Sequence, residues 1–196
     1  MSSSTSAANA PKRSLAPLWL VAAVAAFPFV GSLLLYLFGG FEGRVNYGDL
    51  IEPFRVPQEV LRQADGEPFR LGELEGKWIL LQVDPGACPA ACQQRLYVQR
   101  QVWKLQGKNM HRIERVWLTD DGVRPDPVLV GAAEGVRVVD ARGSELLRRL
   151  PARGAVHDHL YVVDPLGNVM LRFPKDADPT LMKRDLARLL KASRIG

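Results

Sequence analysis

The apolar positions of this chain fall into two regimes. From Ser14 to Phe41 no side chain is charged, and the centre of that stretch reads LWLVAAVAAFPFVGSLLLYLF. A helix needs about 20 apolar residues to cross a bilayer core, so the pattern predicts a spanning helix that tolerates Pro28 as a kink. After it the apolar residues come in short bursts separated by turn signals. Residues 43–57, with Gly43, Gly48, Pro53 and Pro57, read as a linker. Asp65-Gly66 is a hairpin turn signal. Lys77 to Val83 is a nearly continuous apolar run, as expected of a strand covered on both faces. Cys92 to Gln106 has a spacing nearer to a helix than to a strand. Ile113–Leu118 and Gly135–Val139 predict strands, and Ser144–Leu150 a short helix. Leu160–Asp164 and Val169–Phe173 predict a hairpin. Pro179–Ala192 predicts a closing amphipathic helix with Leu181, Leu186, Leu189 and Leu190 on one side.

This order, a hairpin followed by β-α-β, a second hairpin and a last helix, is that of an α/β sandwich. The fold class read here is α/β: a thioredoxin-like domain preceded by a single N-terminal transmembrane helix. The expected organisation is a cytoplasmic tail at 1–13, an anchor at 14–41, a linker at 42–57 and the folded domain at 58–196.

Composition and charge narrow the function classes. The 196 residues carry 26 Lys and Arg against 21 Asp and Glu, a net charge of +5 that does not argue for nucleic acid. No phosphate-binding loop or dinucleotide glycine pattern occurs, so nucleotide binding has no support. Lys12 and Arg13 precede the apolar run, and the positive-inside rule then predicts a cytoplasmic N-terminus. The run is longer than a secretory signal's apolar core and ends in Leu34, Leu35, Tyr36, Leu37 and Phe38 rather than small residues, so a retained anchor is preferred to a cleaved signal. The body is therefore expected on the periplasmic side of the inner membrane, where disulfides persist.

Two cysteines carry the chemistry. Cys88 and Cys92 form Cys-Pro-Ala-Ala-Cys, after a strand and an Asp-Pro-Gly turn and at the start of a helix. Four residues apart on a helix, both sulfurs face one spot. The helix N-terminus favours thiolate. Such a pair forms a disulfide, cycles between dithiol and disulfide, or binds a soft metal such as Cu(I) or Zn. In the redox case Cys88 is expected to be the more exposed, attacking sulfur and Cys92 the resolving one. The histidines are His111, His157 and His159. His111 reads as a solvated surface residue. His157 and His159 precede the strand at 160–164, in a loop that a thioredoxin-like topology places near the cysteine helix.

These residues resemble the SCO/SenC proteins. The resemblance rests on the strand and its Cys-x3-Cys, and on a histidine ahead of Tyr161-Val162-Val163-Asp164-Pro165-Leu166-Gly167. It rests also on Asp65-Gly66-Glu67-Pro68-Phe69-Arg70-Leu71 with Leu74-Glu75-Gly76-Lys77-Trp78 as lead-in. It implies a membrane-anchored copper protein, a metallochaperone for the CuA site of cytochrome c oxidase, with oxidase subunit II as client. It implies copper ligands Cys88, Cys92 and one histidine. The family histidine lies five residues before the tyrosine; His157 lies four before and His159 two, so His157 is the match and His159 the reserve. The chain departs from the family pattern at Asp84-Pro85-Gly86-Ala87 and at Gln93, where the family has proline. The alternative function is a membrane-anchored periplasmic thiol–disulfide oxidoreductase that keeps an acceptor's cysteines reduced.

Overall fold

The computed structural model describes residues 16–38, 46–193 and 195. The chain divides into two compact units, Met1–Val45 and Asn46–Gly196. The expected tail at 1–13, residues 14–15 and 39–41 of the expected anchor, and linker residues 42–45 lie outside the described residues.

The first unit contains helix α1, Ala16–Phe38, with Pro28 inside it. Its segment Trp19–Leu37, 19 residues, is long and apolar enough to cross a membrane. At 1.5 Å per residue it spans about 28 Å, close to the thickness of a bilayer core.

The second unit runs β1 (Asp49–Arg55), β2 (Leu61–Gln63), β3 (Pro68–Phe69), β4 (Trp78–Val83), α2 (Ala90–Lys104) and β5 (Ile113–Thr119). It continues with α3 (Pro127–Ala132), β6 (Arg137–Asp140), α4 (Glu145–Arg149), β7 (Leu160–Val163), β8 (Asn168–Phe173) and α5 (Pro179–Ala192). The eight strands form one sheet in the order β1-β8-β7-β4-β5-β6-β2-β3. Strands β4, β5 and β6 are parallel; β7 joins β4 antiparallel.

The continuous apolar run of β4 is central, and its alternation sorts residues to two cores. Ile79, Leu81 and Val83 pack with Val116, Leu118, Tyr161 and Val163, under Leu146 of α4. Trp78 and Leu80 pack on the other face with Val162 and Phe173, under Val102 of α2 and Met182, Leu186 and Leu190 of α5. Helices α2 and α5 thus lie side by side on one face. Asp178 caps α5 by accepting from the amides of Thr180 and Leu181, with Pro179 at its first position.

Two elements depart from the sequence pattern. The stretch read as linker contains β1, which pairs antiparallel with β8, Leu50 opposite Leu171 and Phe54 opposite Val169. Its pattern is masked by Pro53, which an edge strand tolerates. Helix α3 lies where no element was expected.

Candidate functional site

Strand pairing decides what meets what. Strands β4 and β5 run parallel with Val83 opposite Leu118, so both end on one side of the sheet. Strand β7 runs antiparallel to β4 with Gln82 opposite Leu160, so the residues leading into β7 arrive at that same end. Three connections therefore converge there: Asp84–Pro89 after β4, Asp120–Asp126 after β5, and the 3-10 turn Val156–Asp158 before β7.

Cys88 and Cys92 are joined as a disulfide with their Cα atoms 5.1 Å apart. Cys88 is not on the helix. It sits in a turn with φ of 42°, its amide donating to Pro85 O at 3.0 Å, and Pro89 caps α2. Leaving the helix shortens the span that two cysteines four apart on a regular helix would have to bridge.

The sulfurs lie among Leu96, Trp117, Ala133, Val136 and Val138, with Leu129 and Val130 of α3 packed against them. Cys88 is 1% exposed and Cys92 0%. The expected difference in exposure between the two sulfurs is thus all but absent: residues of the segment between β5 and β6 pack against both. That segment is pinned at two places. Asp121 Oδ1 accepts from Gly86 N at 2.9 Å and from Val123 N at 3.0 Å. Glu134, just past α3, pairs with Arg100 and with Lys104, the latter at 2.9 Å. Buried Arg115 donates to the carbonyls of Ala133 and Glu134, and burial pulls its pKa down to about 10.

Below the disulfide lies a buried polar group. The Asp84 carboxylate pairs with Arg95, through Nε at 2.9 Å and through Nη2, and accepts from Gln82 Nε2 at 2.7 Å. The Gln82 amide also lies 3.8 Å from Cys92 Sγ. Trp117 Nε1 donates to Asp84 O at 3.1 Å.

The histidines separate. His157 is half-buried and its Nε2 lies 2.6 Å from Asp120 Oδ2. His159 is buried and both ring nitrogens are engaged, Nδ1 with Phe173 O at 3.0 Å and Nε2 with Arg153 N at 3.2 Å. The Phe173 carbonyl only accepts, so Nδ1 donates to it, while Nε2 lies also 3.1 Å from Arg153 O. Both nitrogens of His159, the reserve ligand, are thus engaged by backbone groups. His111 is exposed and precedes β5, at the opposite end of the sheet from the disulfide. Among the described residues, no group of three or more His, Cys, Asp or Glu is gathered to hold a metal ion.

Sequence reading passed over Asp120, Asp121, α3 and the Asp84 group. One signal was present: Asp126-Pro127 is a helix start, and Asp126 accepts from Val128 N at 2.8 Å.

Acid should loosen this cover. Lys104 and then Arg100, by hydrogen bonds to Glu134, hold its carboxyl down from 4.5 to about 2. Asp121 is also lowered: burial pushes it up, but the amides of Gly86 and Val123 outweigh that. Both folded values lie below the unfolded ones, so their contribution is present above the ordinary carboxylate range and fades as pH falls toward about 2. The rate of disulfide reduction by a phosphine, divided by its rate on a small linear disulfide, is expected to rise over that range. A flat ratio would remove these carboxylates from the cover.

Residues 78–193 match a family described as "Transmembrane-like, thioredoxin-like, C-terminal domain". No curated protein matches the chain. Several solved structures share the fold. Yeast Sco1 with copper bound aligns over 72% of this chain and 92% of its own, at 14% identity and a TM-score of 0.57. Apo Sco1 from Thermus thermophilus aligns over 75% and 96%, at 20% identity and 0.54. BsSco, described with a disulfide switch and as a member of the Sco family of cytochrome c oxidase assembly proteins, aligns over 72% and 95%, at 15% identity and 0.51.

Proposed function

Because the chain belongs to the transmembrane-like, thioredoxin-like C-terminal domain family and folds as the Sco proteins do, we propose that it is a membrane-anchored copper-binding assembly factor. It acts on the CuA site of cytochrome c oxidase, and oxidase subunit II is its client. The observation that carries this reading is the convergence of the Cys88–Cys92 pair and the His157 loop on one end of the sheet. In this reading α1 crosses the inner membrane with the N-terminus in the cytoplasm and the body in the periplasm. Residues 1–13 form the tail and 14–41 the anchor; the working domain begins at Asn46 rather than at 58, because β1, Asp49–Arg55, is a strand of its sheet.

The donor set fits copper in one redox state only. Two thiolates at a helix N-terminus are the soft donors that Cu(I) selects. In the form described here the sulfurs bond each other and offer no thiolate. Reduction takes two electrons and two protons from a dithiol donor, and breaks the S–S bond. Metal binding then displaces the thiol protons. Cys88 and Cys92 are the proposed sulfur ligands and His157 the third. Its Nε2 must first leave Asp120, or its other nitrogen must serve. Helix α3 has to move for any of this, because both sulfurs are buried beneath it. The thiol–disulfide reductase is not favoured over this reading: it needs the same uncovering of the sulfurs, and the fold is shared with a Sco1 described with copper bound.

The test is an anaerobic Cu(I) and Cu(II) titration of the reduced full chain in detergent. One copper per chain is expected. The Cys88→Ser/Cys92→Ser change should abolish it, and His157→Ala should weaken it by about 10–100-fold, the scale on which a single ligand or its support acts. If no stoichiometric copper binds while the disulfide reduces readily, the assembly-factor reading fails.

A further inference from the structure

The outer side of the α2–α5 layer is basic, and acids are nearly absent from it. Helix α2 contains no Asp or Glu, nor does the 3-10 turn Gly107–Arg112 that follows it. Helix α5 contains one, Asp185, which is buried. Lys183, Arg184 and Lys191 of α5 and Lys108 of the turn are exposed. None of these four is matched to an acid among the described residues. Arg188 stands beside them, 3.9 Å from Asp185. The remaining acids of this layer are placed aside. Glu134 is taken by Arg100 and Lys104, and Asp176 and Asp178 lie ahead of α5 at its N-terminus. The turn and α5 are one surface: Gln106 Nε2 reaches Lys183 O at 3.4 Å, and Arg112 donates to Leu190 O at 2.9 Å.

Two further features say what covers this surface. Leu105 and Ile195 are 48% and 51% exposed; Leu105 precedes Gln106, which reaches Lys183 O, and Ile195 O accepts from Arg112 of the turn. Apolar side chains among lysines are the composition of an element that lies in a lipid headgroup region. The chain also joins the domain on this layer. Gly48 N donates to Asp185 Oδ2 at 2.9 Å, Tyr47 OH accepts from Asp178 N at 3.1 Å, and the Tyr47 ring packs 6.4 Å from that of Phe173.

We infer that the outer face of α5 and of the turn at 107–112 docks on the anionic headgroups of the membrane that α1 crosses. Lys108, Lys183, Arg184 and Lys191 make the electrostatic contact, and Leu105 and Ile195 enter the interface. The inference rests on the anchor reading above. An acidic partner protein would match the charge and cover the apolar residues too, but it would not account for the attachment of the chain at α5. Attraction of this kind acts within a Debye length, about 10 Å in moderate salt, so the docking weakens as salt rises.

The experiment uses the full chain in nanodiscs of phosphatidylcholine, with and without phosphatidylglycerol. A fluorophore is placed by Lys183→Cys, or by Arg148→Cys on α4 as the control on the opposite layer. Quenching by headgroup-labelled lipid is read at low and high salt, and retention of the chain in the disc at high salt reports the anchor separately. The label at 183 should be quenched only with phosphatidylglycerol and low salt, and the label at 148 in neither disc. Lys108→Glu/Arg184→Glu/Lys191→Glu, with an unchanged melting curve, should lower the docked-to-free ratio by at least about tenfold. A chain retained in the disc with no lipid-dependent quenching at 183 overturns the docking and leaves an acidic protein as occupant. A chain lost from the disc at high salt, yet quenched at low salt, overturns the anchor and supports the docking. A chain that neither stays nor is quenched overturns both.

Discussion

Replacing Asp84 with Ala is expected to lower the stability of the body by about 3 kcal/mol. The carboxylate is 1% exposed and is held by Arg95 through two nitrogens and by Gln82 Nε2 at 2.7 Å. Opening a buried ion pair costs about 3–5 kcal/mol, because the surviving charge stays behind without its partner. The low end applies, since the Arg95 side chain is 19% exposed and turns partly to water. Gln82 makes matters worse, as its Oε1 is buried and already lacks a partner. Its amide loses Asp84 as well and is left against Cys92. Asp84→Asn keeps the shape and one acceptor oxygen, so about half of the loss is expected. Urea unfolding followed by tryptophan fluorescence reads both. An Asp84→Ala protein within about 0.5 kcal/mol of the parent would behave like an ordinary surface change and refute the role.

The second large effect is at Gly86. A Cβ built there lies 2.6 Å from the carbonyl carbon of Val123, and closer still to its oxygen. The obstacle is backbone, so no rotamer relieves it and the loop after β5 has to move. That loop leads into α3, and Asp121 ties it to the Gly86 amide. Gly86→Ala is therefore expected to cost about 1–3 kcal/mol, as overpacking does, and to lift the cover from the disulfide. Reduction of Cys88–Cys92 by dithiothreitol should speed up by about tenfold or more, the equivalent of about 1.4 kcal/mol of cover lost. Gly48→Ala, which crowds the buried Leu171 and Phe173 side chains instead of the loop after β5, is the control for overpacking and should leave that rate unchanged. Equal reduction rates in parent and Gly86→Ala would show that the segment does not guard the sulfurs.

Both effects arise from contacts that no local pattern announces, and the same division runs through the whole chain. Trp78–Val83 is legible as a buried central strand because all six residues are buried and five are apolar. The closing helix is legible because Leu186, Leu189 and Leu190 recur at helical spacing and one side must be buried, though the structure buries Met182 there rather than the expected Leu181. Strand β1 was not legible, because its pairing comes from β8, far along the chain, and its polar and Pro positions fit an edge. Helix α3 has six residues, too few to show a period.

The site divides in the same way. Sequence alone determined that two cysteines four apart follow a buried strand and open a helix, and that a charge-free run long enough to span a bilayer precedes the domain. Those are local properties, set by side-chain chemistry over a few turns of chain. Tertiary structure alone decided that Cys88 lies in a turn, that α3 buries both sulfurs, and that His157 meets Asp120 while His159 is held by Phe173 and Arg153. The partners stand 37 residues apart for His157 and Asp120, and 14 for His159 and Phe173. Sheet register sets such distances, and register follows from burying many strands at once rather than from any one segment.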